Sequence, residues 1–355
     1  MVQKMLMKGN EALAEAAIKA GCVHFFGYPI TPQTEVAAYM SKRLPEVEGG
    51  VYVQAESEIA SINMVLGAAA SGVRAMTSSS SPGISLKTEG ISYMAGCDLP
   101  CLIVNVQRAG PGLGGIQPSQ ADYWQATKGV GHGGAHILVF APSSIQEMTD
   151  LVFDAFELAE KYRMPAMILS DGLLGQMMEP VSLPDREVVI SDKPWAVTGH
   201  GHSRERNIVN SLYLQASDLE EKNNQRLKRY REVESKEARM QSYLLEDATI
   251  GVVAYGAAAR VAGTAVDMAR ERGIRAGLMR PITLWPFPSA KIAECAAKGM
   301  KKILTVEMSD GQMVDDVRLA INGSIPVSFY GRTGGVVPTP LEIVSELEKC
   351  AGGDR

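Results

Sequence analysis

The sequence predicts an α/β protein built from two three-layer αβα domains. Short apolar runs alternate with helix-like stretches from the start of the chain to about residue 170, and the same alternation resumes after residue 248. Between them lies a charged stretch with no Gly or Pro after residue 203. Strand–helix alternation of this kind builds a mostly parallel sheet with helices on both faces. A length of 355 residues leaves room for two such units, since domains usually take about 100–200 residues each.

Residues 9–20 read as a helix, with Leu13, Ala16, Ala17 and Ala20 on one face and Gly21 as its stop. Residues 23–27 follow as a strand. Helical patterns at 33–43, 58–71, 83–95 and 143–161 then alternate with strand-like runs at 51–54, 74–78, 100–106, 136–140 and 165–170. Residues 203–246 are dense in Arg, Lys, Glu and Asn, with Leu212, Leu219, Leu227 and Tyr230 at loose helical spacing. They read as a charged connecting helix, a helical arm lying on a partner, or a plain solvated helix. Beyond them come strands at 249–255, 275–279 and 302–307, and helices at 257–272, 289–298, 312–321 and 339–349. The expected division is a first domain at 1–190, a charged helical linker at 191–247 and a second domain at 248–355.

Composition narrows the function. A net charge of −5 gives no basic excess to neutralise phosphates, so nucleic acid is not an expected partner. No apolar run reaches the roughly 20 residues of a membrane span, and no signal peptide is recognisable, so the expected location is cytoplasmic. The five cysteines (Cys22, Cys97, Cys101, Cys295, Cys350) are scattered and read as plain thiols, partly buried. No metal site is expected on this chain.

The chemistry concentrates where strands give way to helices. In Gly27-Tyr28-Pro29-Ile30-Thr31-Pro32, Thr31 suits a helix cap and Pro32 a first helical position. Such a helix start faces the ligand crevice of a parallel sheet and favours an anion, although a tight turn without a ligand fits equally well. In Gln54-Ala55-Glu56-Ser57-Glu58-Ile59-Ala60, Ser57 is the expected cap. The two acids there either complement the helix dipole or include a partly buried carboxylate that hydrogen-bonds a ligand ring nitrogen. Asn105-Val106-Gln107-Arg108 closes an apolar strand and opens a Gly-rich loop at 109–115. Arg108 there is a natural clamp for a substrate carboxylate, and no Lys-Ser/Thr follows to make a P-loop. Thr77-Ser78-Ser79-Ser80-Ser81-Pro82-Gly83 closes another strand and could line the same crevice with hydroxyls, but it forms no nucleophile elbow. His132, in a Gly-rich loop, is a further candidate. His136 reads as the structural start of a strand. Lys87 reads as a surface helix residue, or as a second cation for a dicarboxylate substrate.

Together these segments resemble the α-type, pyrimidine-binding subunit of 2-oxoacid:ferredoxin oxidoreductases, and most closely its short ketoisovalerate type. Tyr28-Pro29-Ile30-Thr31-Pro32 is similar to the family's substrate motif, and Ser57-Glu58-Ile59-Ala60 to its cofactor-activating segment. Residues 77–90 and 106–111 resemble the next two family blocks. Residues 280–288 and 307–313 look like the transketolase C-terminal-type domain of these subunits. The resemblance implies a thiamine-diphosphate pyrimidine-binding domain followed by a transketolase C-terminal-like domain. It implies that Glu58 hydrogen-bonds the cofactor's aminopyrimidine ring, near Tyr28, Pro29 and Ile30, while Thr31 and Arg108 hold the 2-oxoacid. The implied reaction is CoA-dependent oxidative decarboxylation of a 2-oxoacid to acyl-CoA and CO2, with 3-methyl-2-oxobutanoate preferred and ferredoxin reduced.

The same resemblance implies partners. The chain lacks a Gly-Asp-Gly segment followed by Asn, the family's site for the diphosphate and Mg2+, and it lacks ligands for [4Fe-4S] clusters. Thiamine diphosphate would therefore be shared with a diphosphate- and Mg-binding β-type subunit. A γ-type subunit and a ferredoxin-like iron–sulfur subunit would complete the complex. Rival readings are a 2-oxoglutarate- or pyruvate-specific member, the pyrimidine-binding subunit of a lipoamide-linked 2-oxoacid dehydrogenase, and a non-catalytic stabilising subunit.

Overall fold

The computed structural model of the protein describes residues 4–352. The chain opens with β1 (Met5–Lys8) and α1 (Gly9–Lys19), followed by β2 (His24–Gly27), α2 (Thr34–Arg43), β3 (Val51–Gln54) and α3 (Glu58–Ala70). It continues through β4 (Ala75–Ser79), α4 (Ser81–Gly96), β5 (Leu102–Gln107), α5 (Tyr123–Thr127), β6 (Leu138–Phe140), α6 (Ile145–Tyr162), β7 (Ala166–Asp171), α7 (Gly172–Gln176) and β8 (Met178–Val181). A seven-stranded sheet of order β12-β6-β7-β5-β4-β2-β3 forms from this part, with β12 (Thr283–Trp285) arriving from much later in the chain. Its pairings are parallel except for β12, which runs antiparallel to β6. The central strands β4, β5 and β7 are buried along their whole length. A strand covered on both faces reads as a nearly continuous apolar run, and this is why β5 and β7 stood out in the sequence.

Helix packing follows from small residues and caps. A side chain at Gly90 would come within 2.6 Å of Ile62, so that glycine sets how closely α3 and α4 approach. Ser144 caps α6 by accepting from the Glu147 amide, and Arg163 ends the same helix in a left-handed conformation.

The second half contains α8 (Ala216–Glu237), β9 (Met240–Tyr243), β10 (Ile250–Val253), α9 (Gly256–Glu271), β11 (Ala276–Pro281), α10 (Ser289–Ala297), β13 (Lys302–Glu307), α11 (Met313–Ile321), β14 (Val327–Gly331) and α12 (Pro340–Gly352). Its sheet has the order β14-β13-β10-β11-β9, parallel except for β9 at the edge. β1 and β8 pair separately as an antiparallel ribbon. The two sheets are tied by exchanged edges. β9 precedes residue 248 yet extends the second sheet, and β12 follows residue 248 yet extends the first.

The charged stretch forms a helix over 216–237, shorter than the span suggested by its composition. Tyr230 is buried, takes the His136 amide on its hydroxyl, and packs edge-on to Trp285. Glu237 accepts hydrogen bonds from Tyr162 and Lys161. Leu212, Leu219 and Leu227 remain exposed. One face of α8 is thus docked on its own chain. Among the described residues no helix is long and apolar enough to cross a membrane.

Candidate active site

Strand order brings the C-terminal ends of β5, β4, β2 and β3 side by side. The chain runs from β2 outward to β3 and then back across to β4, so the crevice between β2 and β4 is a topological switch point, where ligands of such sheets bind. The four polar junctions read from the sequence all lie on this edge.

At the end of β2 the chain makes an extra turn before its helix. The Gln33 amide donates to Ile30 O and the Val36 amide to Gln33 O, so α2 starts at Thr34 with Gln33 as its uncapped N-cap. The expected roles of Thr31 as cap and Pro32 as first helical residue are therefore corrected. The turn is held instead by buried Gln33, which donates to Tyr28 O and accepts from Ser78 Oγ. Asn10 donates to Pro32 O at 2.8 Å. Pro29 and Thr31 are exposed on this turn, while Tyr28 and Ile30 are half-buried.

At the end of β3, Ser57 caps α3 as expected, accepting from the Ala60 amide at 3.1 Å. Glu56 is exposed, whereas Glu58, the first helical residue, is only 7% accessible. Ser61 and Lys87 both donate to the backbone carbonyl of Glu58. Among the described residues none reaches its carboxylate. That carboxylate lies against the start of α4, since a β-carbon on Gly83 would sit 2.8 Å from Glu58 Oε1 and 2.1 Å from Ser79 Oγ. Only glycine admits this approach. The buried hydroxyls of Ser79 and Ser80 also lack hydrogen-bond partners.

Lys87 corrects the sequence reading most sharply. It is fully buried, not a surface residue, and its ammonium donates to Ser61 Oγ, to Thr77 Oγ1 at 3.1 Å and to Glu58 O at 3.4 Å. Burial lowers its pKa to about 8, against the opposing pull of Glu58.

At the end of β5, Arg108 is 7% accessible. Its guanidinium donates to Thr31 O at 3.0 Å and to Leu113 O at 3.1 Å, while its Nε has no partner. This joins the 28–32 turn to the Gly-rich loop. Beneath Arg108 lies a network that the sequence reading missed. Ser81 Oγ accepts from the Arg108 amide and donates to Asp122, and Asn105 also donates to Asp122. Burial pushes the Asp122 carboxyl up, while Ser81, Asn105 and Arg108 oppose that shift. Asn105, polar within an apolar strand, was a visible signal. Nothing in the local pattern distinguished Asp122.

The structure does not bring His132 to this group. It is exposed and exchanges hydrogen bonds with Ser92 while packing edge-on to Tyr93. Ser92 lies nine residues beyond Gly83 on α4, roughly 13 Å along the axis. His136 stacks on Trp285. The crevice thus joins the Glu58 carboxylate, which has no donor from the described residues, and the Arg108 guanidinium held by two carbonyls. These groups can bind a planar nitrogen heterocycle and a carboxylate side by side.

Comparison with known proteins agrees with this geometry. Residues 15–242 match the thiamine diphosphate-binding model of pyruvate flavodoxin/ferredoxin oxidoreductases, and residues 248–343 match core domain II of pyruvate:ferredoxin oxidoreductase. The chain is 51% identical to ketoisovalerate oxidoreductase subunit VorB of Methanothermobacter marburgensis, covering 98% of each. It is 39% identical to 2-oxoglutarate synthase subunit KorA of Methanothermobacter thermautotrophicus, over 98% of this chain and 99% of that one. Among solved structures it superimposes on 2-oxoglutarate:ferredoxin oxidoreductase from Magnetococcus marinus with a TM-score of 0.89 and 30% identity, spanning 98% of this chain and 65% of that one. A split-gene transketolase shares the fold at a TM-score of 0.58 and 14% identity. The chain therefore belongs to the 2-oxoacid:ferredoxin oxidoreductase family, as a short VorB-type α subunit that carries a thiamine diphosphate-binding domain.

Proposed function

We propose that this chain forms the pyrimidine side of a shared active site and acts on branched-chain 2-oxoacids, with 3-methyl-2-oxobutanoate as the preferred substrate. The observation that carries this reading is the Glu58 carboxylate, on a largely buried residue at the switch point and with no donor from the described residues. A carboxylate that opens onto the crevice with no donor from its own chain is free to accept a hydrogen bond from a ligand. An aminopyrimidine edge fits here, since its ring nitrogen can meet the Glu58 carboxylate beside the start of α4.

Bound thiamine diphosphate would supply the nucleophilic carbon and electron sink that 2-oxoacid decarboxylation needs. Glu58 would hold or release the proton shared with the ring nitrogen. Tyr28, Pro29 and Ile30 would flank the ring, and Thr31 would present its hydroxyl to the oxoacid. Arg108 would bind the substrate carboxylate, with its guanidinium already oriented by Thr31 O and Leu113 O. The four junctions carry one cation, Arg108, and Lys87, on α4 just beyond them, spends its donors inside the protein. This side of the site thus offers one clamp for one carboxylate. That favours a branched monocarboxylate over 2-oxoglutarate, in keeping with the VorB relative.

The remaining parts would come from partner chains: a β-type subunit for the diphosphate and Mg2+, a γ-type subunit, and a ferredoxin-like subunit bearing [4Fe-4S] clusters. Within this chain, residues 1–190 and 248–355 would supply most of the two modules, with β9 of the joining segment 191–247 added to the second sheet and β12 returned to the first. A cytoplasmic location fits five unpaired cysteines. The test is co-expression with the partner subunits and assay of CoA-dependent viologen reduction across a panel of 2-oxoacids. We expect 3-methyl-2-oxobutanoate to give the highest kcat/KM. A preference for 2-oxoglutarate would overturn the substrate assignment, and activity only with lipoamide would overturn the reaction.

A further inference from the structure

Lys87 is an expensive residue in its position. It is fully buried, forms no ion pair among the described residues, and donates to three neutral oxygens. It also sits beside the N-terminus of α3, the positive end of that helix dipole. An apolar side chain of similar length would fill the space without either cost. A purely structural role therefore accounts poorly for a lysine here.

What the ammonium touches gives its role. Two of its acceptors, Glu58 O and Ser61 Oγ, belong to the first turn of α3, and the third, Thr77 Oγ1, belongs to β4. Ser61 in turn donates to Glu58 O at 2.9 Å, so both side chains converge on the carbonyl of the residue whose carboxylate lacks a donor. The titratable group facing Lys87 is Glu58. Thr77 on β4 is neutral, β5 carries no charged residue, and Glu89, on the same helix as Lys87, is exposed.

We propose that Lys87 is a positioning residue for Glu58, locking the first turn of α3 onto β4 and setting a positive charge behind the carboxylate. This rests on the reading of Glu58 given above and adds to it a dependence on a second titratable group. Because burial brings Lys87 to about 8, the charge is present below that pH and fades above it. Activity should decline as pH rises through this range.

The test uses the reconstituted complex and three substitutions. Lys87→Met should assemble normally yet lower kcat about 10–100-fold, with the KM for the 2-oxoacid little changed. It should also weaken thiamine diphosphate binding, measured directly by titration of the apo-complex. Lys87→Gln keeps donors without charge and should resemble Lys87→Met. Lys87→Arg keeps the charge, so the alkaline decline should move up by about one pH unit or more. Wild-type cofactor affinity and an unchanged pH profile in Lys87→Met would overturn the proposal. If that variant fails to assemble, the Ser61→Ala, Thr77→Val double substitution should weaken cofactor binding in the same direction, and wild-type affinity there would count against it equally. Glu58→Gln run in parallel separates the two ideas. An active Glu58→Gln sinks the role of Glu58 itself, whereas an inactive one beside an unaffected Lys87→Met sinks only the role of Lys87.

Discussion

The two parallel sheets end in crevices of opposite character. At the switch point of the first sheet, Glu58 has a carboxylate without donors, Ser79 and Ser80 have unpartnered hydroxyls, and Arg108 keeps a free Nε. At the switch point of the second, between β10 and β13, the chain fills the crevice itself. Gln120 donates from its amide side chain to Tyr255 O and accepts from the Met308 amide, and its backbone N–H reaches Met308 O. Glu307 beside it takes the amides of Gln312, Met313 and Val314 and the hydroxyl of Ser309. One architecture therefore yields a site short of partners and a junction that is plugged. The fold alone does not assign the chemistry; the state of its polar groups does.

Three substitutions would break or sharpen that contrast. Glu58→Ala should have the largest effect, lowering 2-oxoacid turnover by about 10³-fold or more while the complex still assembles; turnover near wild type would remove the distinction between the edges. Arg108→Lys should come next, raising the KM for the 2-oxoacid about tenfold, because a point charge replaces a planar fork. An unchanged KM would mean that the guanidinium serves only the Thr31 and Leu113 carbonyls. Gln120→Ala should act on stability alone, costing about 2–3 kcal/mol through the buried groups left unpaired. Denaturant unfolding measures that cost, and a fall in kcat without a loss of stability would show the second edge to be part of the site.

Sequence patterns made the central sheet legible because β5 and β7 are mostly apolar until their C-terminal ends and the glycines and caps fall at the helix ends. The short edge strands were not. β1, β8, β9 and β14 are half-exposed, and β12 takes part in the first sheet only through long-range pairing. At the site, the segments containing Thr31, Glu58 and Arg108 were visible as polar breaks after apolar strands. Lys87 was misread because a charged side chain amid Ser and Thr looks solvated, and only the packing of α4 on α3 and β4 buries it. Asp122 was invisible for a similar reason: its partners, Ser81 and Asn105, lie far away in sequence.

The exchange of edge strands has a practical corollary for anyone dividing this gene. A polypeptide ending near residue 247 would keep β9 but lose the sheet it completes, and it would leave β6 with no neighbour where β12 now lies. Such a bare flank invites pairing with other molecules. The two halves should be inherited, expressed and purified as one unbroken piece.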